Sequence, residues 1–437
     1  MSTSDPLAVR TPDARFESLA DFSYRPHFVD LDGLRMHYVD EGLKDAPVAL
    51  MIHGMPTWSY LYRSIIPPMI PAGYRCIAPD HIGFARSDKV TDPTWYDIAR
   101  HTTDLARLIE TLDLHDVTIF VQDWDGPTGL AQVATMPDRF SRLVIMNTWL
   151  HHDGYEYSPG ILNWIRQNDP GGLFRDNVPQ RFGWGTLMAV ATQRVSPQDG
   201  LLPLLQGEAA TLSPEAEALR LAYDAPFVGL GDAGVTGPRQ FPLSIPVHDH
   251  VRGNGQAQAR HFAAINATSL PVNFVWGLAD DVFTGDWGRR WHSLIPHATW
   301  DAFDDAGHFL QDTHGERIAR LVLGHADRDS DQSALEAAVS PIAATVTMPR
   351  LPWSAAFSGS PRRRASRTVL RSRRHVRNAR AHARCHSRPR GGRKPELPAA
   401  SAEARRTTHA RSARNQLLMA TAVVTARFRP ARLGSRP

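Results

Sequence analysis

Two kinds of hydrophobic pattern alternate along the first 326 residues. Short apolar runs recur at Met36 to Asp40, Val48 to His53, Tyr74 to Pro79, Val117 to Gln122, Leu143 to Met146, Val272 to Trp276 and Ala298 to Phe303. Between them, apolar residues return every three or four positions. In Tyr96 to Leu114 they are Ile98, Leu105, Leu108, Ile109 and Leu112. Runs that are apolar on both faces predict strands of a parallel sheet, and the 3.6-residue repeat predicts the helices that cover it. Further helices are expected over Trp58 to Ile70, from Pro127 onward, and over Gly315 to Leu323. The fold class is therefore α/β, a mostly parallel twisted sheet flanked by helices.

The rhythm breaks between residues 151 and 245, where Pro, Gly and short helical pieces dominate. This stretch reads as a helical cap inserted into a core made of residues 1–150 and 246–326. Residues 327–437 read as an Arg-, Ala- and Pro-rich tail without a core of its own.

Charge sharpens that division. The chain of 437 residues is 42% apolar and 22% charged, with a net charge of +4. Residues 341–437 carry nearly half of its 49 basic residues but only two acidic ones, Glu396 and Glu403. The rest is an acidic domain, and the tail is expected to be disordered. A basic arm can bind nucleic acid by counterion release. This one has neither interleaved aromatics nor a zinc-finger or RNP motif, so an incidental extension is the preferred reading. Two cysteines, Cys76 and Cys385, exclude a disulfide framework or a four-thiolate metal site. No apolar stretch approaches 18 residues, and Met1 to Leu19 has no apolar signal segment. No membrane partner is expected, and the expected location is the cytoplasm.

In open α/β sheets, ligands bind beyond the carboxyl ends of the strands. Four polar clusters fall there: His53-Gly54-Met55-Pro56-Thr57-Trp58, Val121-Gln122-Asp123-Trp124-Asp125-Gly126, Trp276-Gly277-Leu278-Ala279-Asp280-Asp281 and Asp305-Ala306-Gly307-His308-Phe309. The second lies between a strand and a helix, the place of a nucleophile elbow, with Asp123 where a G-x-S-x-G motif has Ser. Nucleophile, acid and base then follow in the order Asp123, Asp280, His308. A carboxylate needs no deprotonation before attack and suits displacement at an sp³ carbon. His308 would activate a water against the resulting ester, and Asp280 would hold the imidazole. The backbone N–H groups of Met55 and Trp124 would form an oxyanion hole, where one lost donor costs about 3 kcal/mol. The Trp124 indole N–H suits a leaving halide.

These segments resemble haloalkane dehalogenases of the α/β-hydrolase superfamily. The resemblance rests on His53 to Arg63, on Ile82-Gly83-Phe84-Ala85-Arg86-Ser87-Asp88-Lys89, on Val121-Gln122-Asp123-Trp124, on Tyr223-Asp224-Ala225-Pro226-Phe227 and on Ala306-Gly307-His308-Phe309-Leu310-Gln311. It spans about residues 11 to 325. It implies the α/β-hydrolase fold and hydrolysis of a halogenated alkane by water to an alcohol and halide, with no cofactor and no metal.

Three positions depart from the family pattern. Position 55 is usually Asn or Glu, and Met55 has no side-chain donor. A second halide donor would then come from a cap tryptophan, Trp164 in preference to Trp184. Asp125 stands where the family has Gly, and its carboxylate would oppose ionisation of Asp123. Ala85 replaces a frequent Gly. Simpler roles compete at each site: Asp123 as a helix N-cap, His308 as a surface histidine, Asp281 in place of Asp280, Trp124 and Trp164 as packing, and His53 as a shaper of the oxyanion loop. The other functions weighed are an epoxide hydrolase using Tyr155, Tyr157 or Tyr223, and an inactive hydrolase fold that binds a partner.

Overall fold

Ten strands form two sheets in a computed structural model, which describes residues 7–17 and 19–343, with side chains described to residue 330. The strands are β1 (Ala8–Val9), β2 (His27–Leu31), β3 (Leu34–Glu41), β4 (Val48–Met51), β5 (Arg75–Pro79), β6 (Lys89–Val90), β7 (Val117–Asp123), β8 (Phe140–Thr148), β9 (Val272–Gly277) and β10 (Thr299–Phe303). Eight make one sheet in the order β10-β9-β8-β7-β4-β5-β3-β2, and β1 pairs with β6 alone. From β10 to β5 every pairing is parallel; β3 and β2 add antiparallel at the edge. All seven residues of β7 are buried, as its continuous apolar run requires of a central strand.

Twelve helices accompany them among the described residues: α1 (Ile66–Met69), α2 (Ile98–Thr111), α3 (Asp125–Thr135), α4 (Pro159–Asn168), α5 (Leu173–Asn177), α6 (Trp184–Ala191), α7 (Pro197–Gln206), α8 (Pro214–Asp224), α9 (Gly231–Leu243), α10 (Gly255–Asn266), α11 (Gly285–His292) and α12 (Leu310–Ala343). In α2 the Asp97 carboxylate caps the first turn by accepting from the Arg100 N–H at 2.7 Å. The apolar stripe of α2, Ile98, Leu105, Leu108 and Ile109, is buried against the sheet. Ser158, Ser196 and Ser213 cap α4, α7 and α8 in the same manner, and each is followed by Pro at the first helical position. Local signals thus start three of the seven helices between β8 and β9.

Two expectations are corrected. Trp58 to Ile70 is not one helix but a 3₁₀ turn at Ser59–Tyr62 followed by the four-residue α1. Pro67 and Pro68 lack the N–H groups that a continuous helix would direct at the carbonyls of Arg63 and Ser64. The last helix also runs further than Leu323, from Leu310 to Ala343, with non-helical backbone at His314. Residues 327–343 of the expected tail are therefore helical, in a stretch that contains four Ala. The remainder of the tail lies outside the described residues. The chain up to Asp329 packs as one unit; a second begins at Ser330, and its described part is the end of α12.

One buried carboxylate gathers four segments. Asp312 in α12 accepts from Nη1 of Arg63 at 2.8 Å and from the Tyr223 hydroxyl of α8 at 2.9 Å. It also pairs with Nη1 of Arg194, just after α6, at 2.6 Å. Its side chain is fully buried. Burial opposes its charge, but Arg63 and Arg194 overcome this and hold its carboxyl below the usual range.

Candidate active site

Asp123 ends β7 with φ +56°, and α3 begins two residues later. A left-handed conformation at a non-Gly residue costs of order 1–2 kcal/mol and pushes the side chain out of the strand path. Contacts on both sides hold this turn. Thr148 Oγ1 donates to the Asp123 carbonyl and accepts the Gly126 N–H at 3.1 Å. A Cβ on Gly126 would lie 2.2 Å from the Trp149 carbonyl oxygen, and one on Gly54 would lie 2.5 Å from Asp123 Oδ2. Only glycine fits at either position.

The three predicted catalytic residues meet here. His308 Nδ1 lies 2.9 Å from Asp280 Oδ2, and its Nε2 lies 3.6 Å from Asp123 Oδ1. The Met55 N–H donates to Asp123 Oδ2 at 2.9 Å. Burial disfavours the charged imidazole, but the carboxylates of Asp280 and Asp123 outweigh it and push the His308 pKa up to about 10. Asp281, the competitor of Asp280, lines the neighbouring cavity. Among the described residues, the Trp124 N–H makes no bond to the Asp123 carboxylate, so Met55 is the one backbone donor that the geometry brings to it.

A cavity of about 90 Å³ opens at this point, lined by Asp123, His308, Met55, Trp164, Leu187 and Phe309 among others. Trp164 reaches it as expected. Trp124 does not: its ring is 1% exposed and packs edge-on against Trp149 and Phe241, at 4.8 and 5.0 Å between centroids. Trp184 lies behind Trp164, with centroids 6.4 Å apart.

Asp125 opens α3. It is fully buried, with Oδ1 3.4 Å from His81 Nε2. Burial, reinforced by the nearby Asp123 carboxylate, pushes its carboxyl well above the usual range. The opposition between the two carboxyls that the sequence suggests is thus present, and it acts on Asp125. Ala85 stands at φ +38°, a conformation that favours glycine.

Several site residues were given no role by the sequence reading, Asn147 having been set aside as an amide at a position where an acid could stand. Asn147 is not an acid, yet its Nδ2 donates to Asp280 Oδ2 at 2.9 Å while its Oδ1 accepts the Gly277 N–H at 2.7 Å. The Val282 N–H donates to the other Asp280 oxygen at 2.7 Å. Gln122 Nε2 donates to the His308 carbonyl at 3.0 Å. The one available signal was position: Gln122, Asn147 and Thr148 all lie at carboxyl ends of central strands.

The strand–elbow–helix turn, the sheet order and the Asp–His–Asp array define an α/β-hydrolase. The sequence matches the alpha/beta hydrolase fold family over residues 47–315, and the chain belongs to it. It is 34% identical over 326 residues to a haloalkane dehalogenase of Psychrobacter cryohalolentis, covering 72% of this chain and 96% of that one. The tetrameric haloalkane dehalogenase of Paraglaciecola agarilytica superposes with a TM-score of 0.60 at 32% identity, covering 72% of this chain and 97% of that one. A cis-3-alkyl-4-alkyloxetan-2-one decarboxylase of Shewanella oneidensis is 30% identical over 302 residues, covering 68% of this chain and 87% of that one. Within the superfamily, the chain belongs to the haloalkane dehalogenases, hydrolases acting on carbon–halide bonds.

Proposed function

We propose that this enzyme hydrolyses short haloalkanes through a covalent alkyl ester on Asp123. The observation that carries the reading is the two-sided hold on that carboxylate, with the Met55 N–H on Oδ2 and Oδ1 turned toward His308 and the cavity. Oδ1 attacks the carbon bearing the halogen, and the carbon–halogen electron pair leaves as halide. Water then attacks Cγ of the ester while His308 Nε2 takes its proton. Charge builds on Oδ2, where the Met55 N–H stabilises it. Collapse releases the alkoxide, which takes the proton from His308 and leaves as the alcohol, and Asp123 loses one proton to complete the cycle. Asp280, held by Asn147, keeps the His308 Nδ1 proton in place and stabilises the imidazolium.

The Trp164 indole is the halide donor in this reading, since it lines the cavity. Trp124 serves only if its ring leaves the stack with Trp149 and Phe241. Residues 151–245 act as the cap that closes the cavity. No cofactor enters any step.

Two other chemistries are less well supported. Opening an epoxide needs a hydroxyl donor beside Asp123, yet Tyr223 donates to Asp312 and Tyr157 pairs with His151 at 2.8 Å. Neither these nor Tyr155 lines the cavity. A four-membered lactone bearing two alkyl groups is the substrate named for the Shewanella relative, and a cavity of about 90 Å³ suits a single short chain better.

The test is halide release from a panel of short bromo- and chloroalkanes, with wild type beside Asp123→Ala. Release by wild type that disappears in the variant is expected. Release that persists without Asp123, or none from folded wild type, would overturn the reading.

A further inference from the structure

Behind Asp123, a chain of buried side chains that the mechanism does not use ties three loops together. His53, in the loop after β4, turns Nδ1 to the Gly54 carbonyl at 2.9 Å. Its Nε2 accepts the backbone N–H of His81 at 3.0 Å. One nitrogen faces a carbonyl and the other an N–H, so this ring is a neutral imidazole in a single tautomer. His81, in the loop after β5, turns its own Nε2 to Asp125 Oδ1 at 3.4 Å, a long hydrogen bond. All three side chains are at most 1% exposed.

The two ends of this chain converge on the nucleophile. Gly54 precedes Met55, whose N–H grips Asp123 Oδ2, and Asp125 opens α3 two residues after Asp123. The relay from Gly54 through His53 and His81 to Asp125 therefore spans the gap between the oxyanion donor and the elbow. We propose that Asp125 is a positioning residue: bonded to His81, it sets where the Met55 N–H stands relative to Asp123 Oδ2. The proposal rests on the Asp123 ester reading above.

The surroundings favour the neutral form. Facing the Asp125 carboxyl are Asp123 from β7, Tyr62 from the turn before α1 and His81 from the loop after β5, with the rings of His53 and of His101 from α2 packed against His81. Burial lowers the pKa of all three histidines, that of His101 to about 3. None of these groups supplies a lasting positive charge to an ionised Asp125, so its charged form would stand unpaired in the core. A backbone hydrogen bond at Gln122 and the hydroxyl of Thr128, one turn along α3, favour the ionised form but bring no charge.

The consequence falls on one half of the reaction. Alkylation removes charge from Asp123, whereas ester hydrolysis builds it on Oδ2. Misplacing the Met55 N–H therefore slows hydrolysis and spares the first release of halide. Asn at position 125 keeps a donor and an acceptor at the same place; Ala keeps neither.

The experiment measures single-turnover halide release and the mass of the trapped alkyl-enzyme in wild type, Asp125→Asn and Asp125→Ala, across pH. Asp125→Asn is expected to hydrolyse its ester within about threefold of wild type. Asp125→Ala is expected to keep the halide burst but accumulate ester, with hydrolysis slowed about 10- to 100-fold. At alkaline pH, wild-type hydrolysis falls as Asp125 ionises, and Asp125→Asn holds its rate. The proposal is overturned if folded Asp125→Asn behaves like Asp125→Ala, if burst and hydrolysis slow equally, or if the alkaline fall persists in Asp125→Asn. Should Asp125→Ala fail to fold, the alkaline limb of Asp125→Asn against wild type decides alone. A complete lack of alkyl-enzyme, including in His308→Gln, would instead overturn the Asp123 ester reading.

Discussion

Nδ1 of His308 lies 2.9 Å from Oδ2 of Asp280, and this pairing sets the pH behaviour of the site. With its pKa raised to about 10, His308 in the resting enzyme is charged at neutral pH and cannot yet accept a proton from water. Alkylation of Asp123 removes one of the two carboxylates that favour the charge, so the imidazole becomes a usable base after the ester forms. On the acid side of the profile, below the alkaline fall expected from Asp125, the hydrolysis rate in single-turnover experiments should rise with pH with an apparent pKa below that of the resting enzyme. Asp280→Asn should lower that pKa further and reduce the limiting rate by about 10³- to 10⁴-fold. The stability linkage has the opposite sense. A raised folded-state pKa contributes stability that is complete below the unfolded value of about 6.5 and is lost as pH climbs through about 10.

Removing the base should separate the two half-reactions. In His308→Gln, one equivalent of halide is expected per enzyme, followed by turnover about 10²- to 10⁴-fold below wild type. Intact-protein mass spectrometry should find the chain heavier by the alkyl group. A peptide map should place that mass on the segment containing Asp123. An unmodified protein after the burst would refute this order of steps.

The cavity wall makes a prediction about substrate charge. It includes the carboxylates of Asp123, Asp280 and Asp281 against one cation, the His308 imidazolium, and no Lys or Arg among the described lining residues. A substrate carboxylate placed near these groups meets a repulsion of roughly 3–4 kcal/mol at about 4–5 Å. An ω-bromoalkanoate should therefore have a kcat/KM at least about 100-fold below that of the bromoalkane of matching length. Added salt should narrow the gap.

Trp164 should matter for halide and Trp184 much less. Trp164→Phe removes an indole N–H that would donate to an anion, a bond worth about 1.5–3 kcal/mol. Bromide affinity, read from inhibition of halide release, should fall about 10- to 100-fold. Trp184→Phe, behind the wall, should change it less than about threefold.

Asp312→Ala tests the joint between α12 and the inserted helices. It strips Arg63 and Arg194 of a buried partner. Breaking such a pair costs about 3–5 kcal/mol, a drop in Tm that calorimetry would resolve easily. In wild type, the depressed Asp312 pKa contributes stability that is present above the unfolded carboxylate value and is lost as pH falls through the folded one.

The parallel strands, the elbow at Asp123 and the order of Asp123, Asp280 and His308 were readable from the chain because each depends on local pattern. Apolar runs of four to six residues mark buried strands, and polar residues at their ends mark where a parallel sheet binds ligands. The break at Pro67 and Pro68 was local too, but the apolar repeat from Leu61 to Met69 masked it. Other features depend on which strand lies beside which. Asn147 reaches Asp280 because β8 lies beside β9, and His81 reaches Asp125 because β7, β4 and β5 are consecutive in the sheet. Asp312 meets Arg63, 249 residues earlier, only once α12 has folded back across the core. Trp124 carries an indole suited to a halide, yet Trp149 and Phe241 decide where that ring lies. Hydrophobic period and turn chemistry act over a few residues. The hydrogen bonds that orient a catalytic group are drawn from whatever loops the tertiary fold brings within about 3 Å of it.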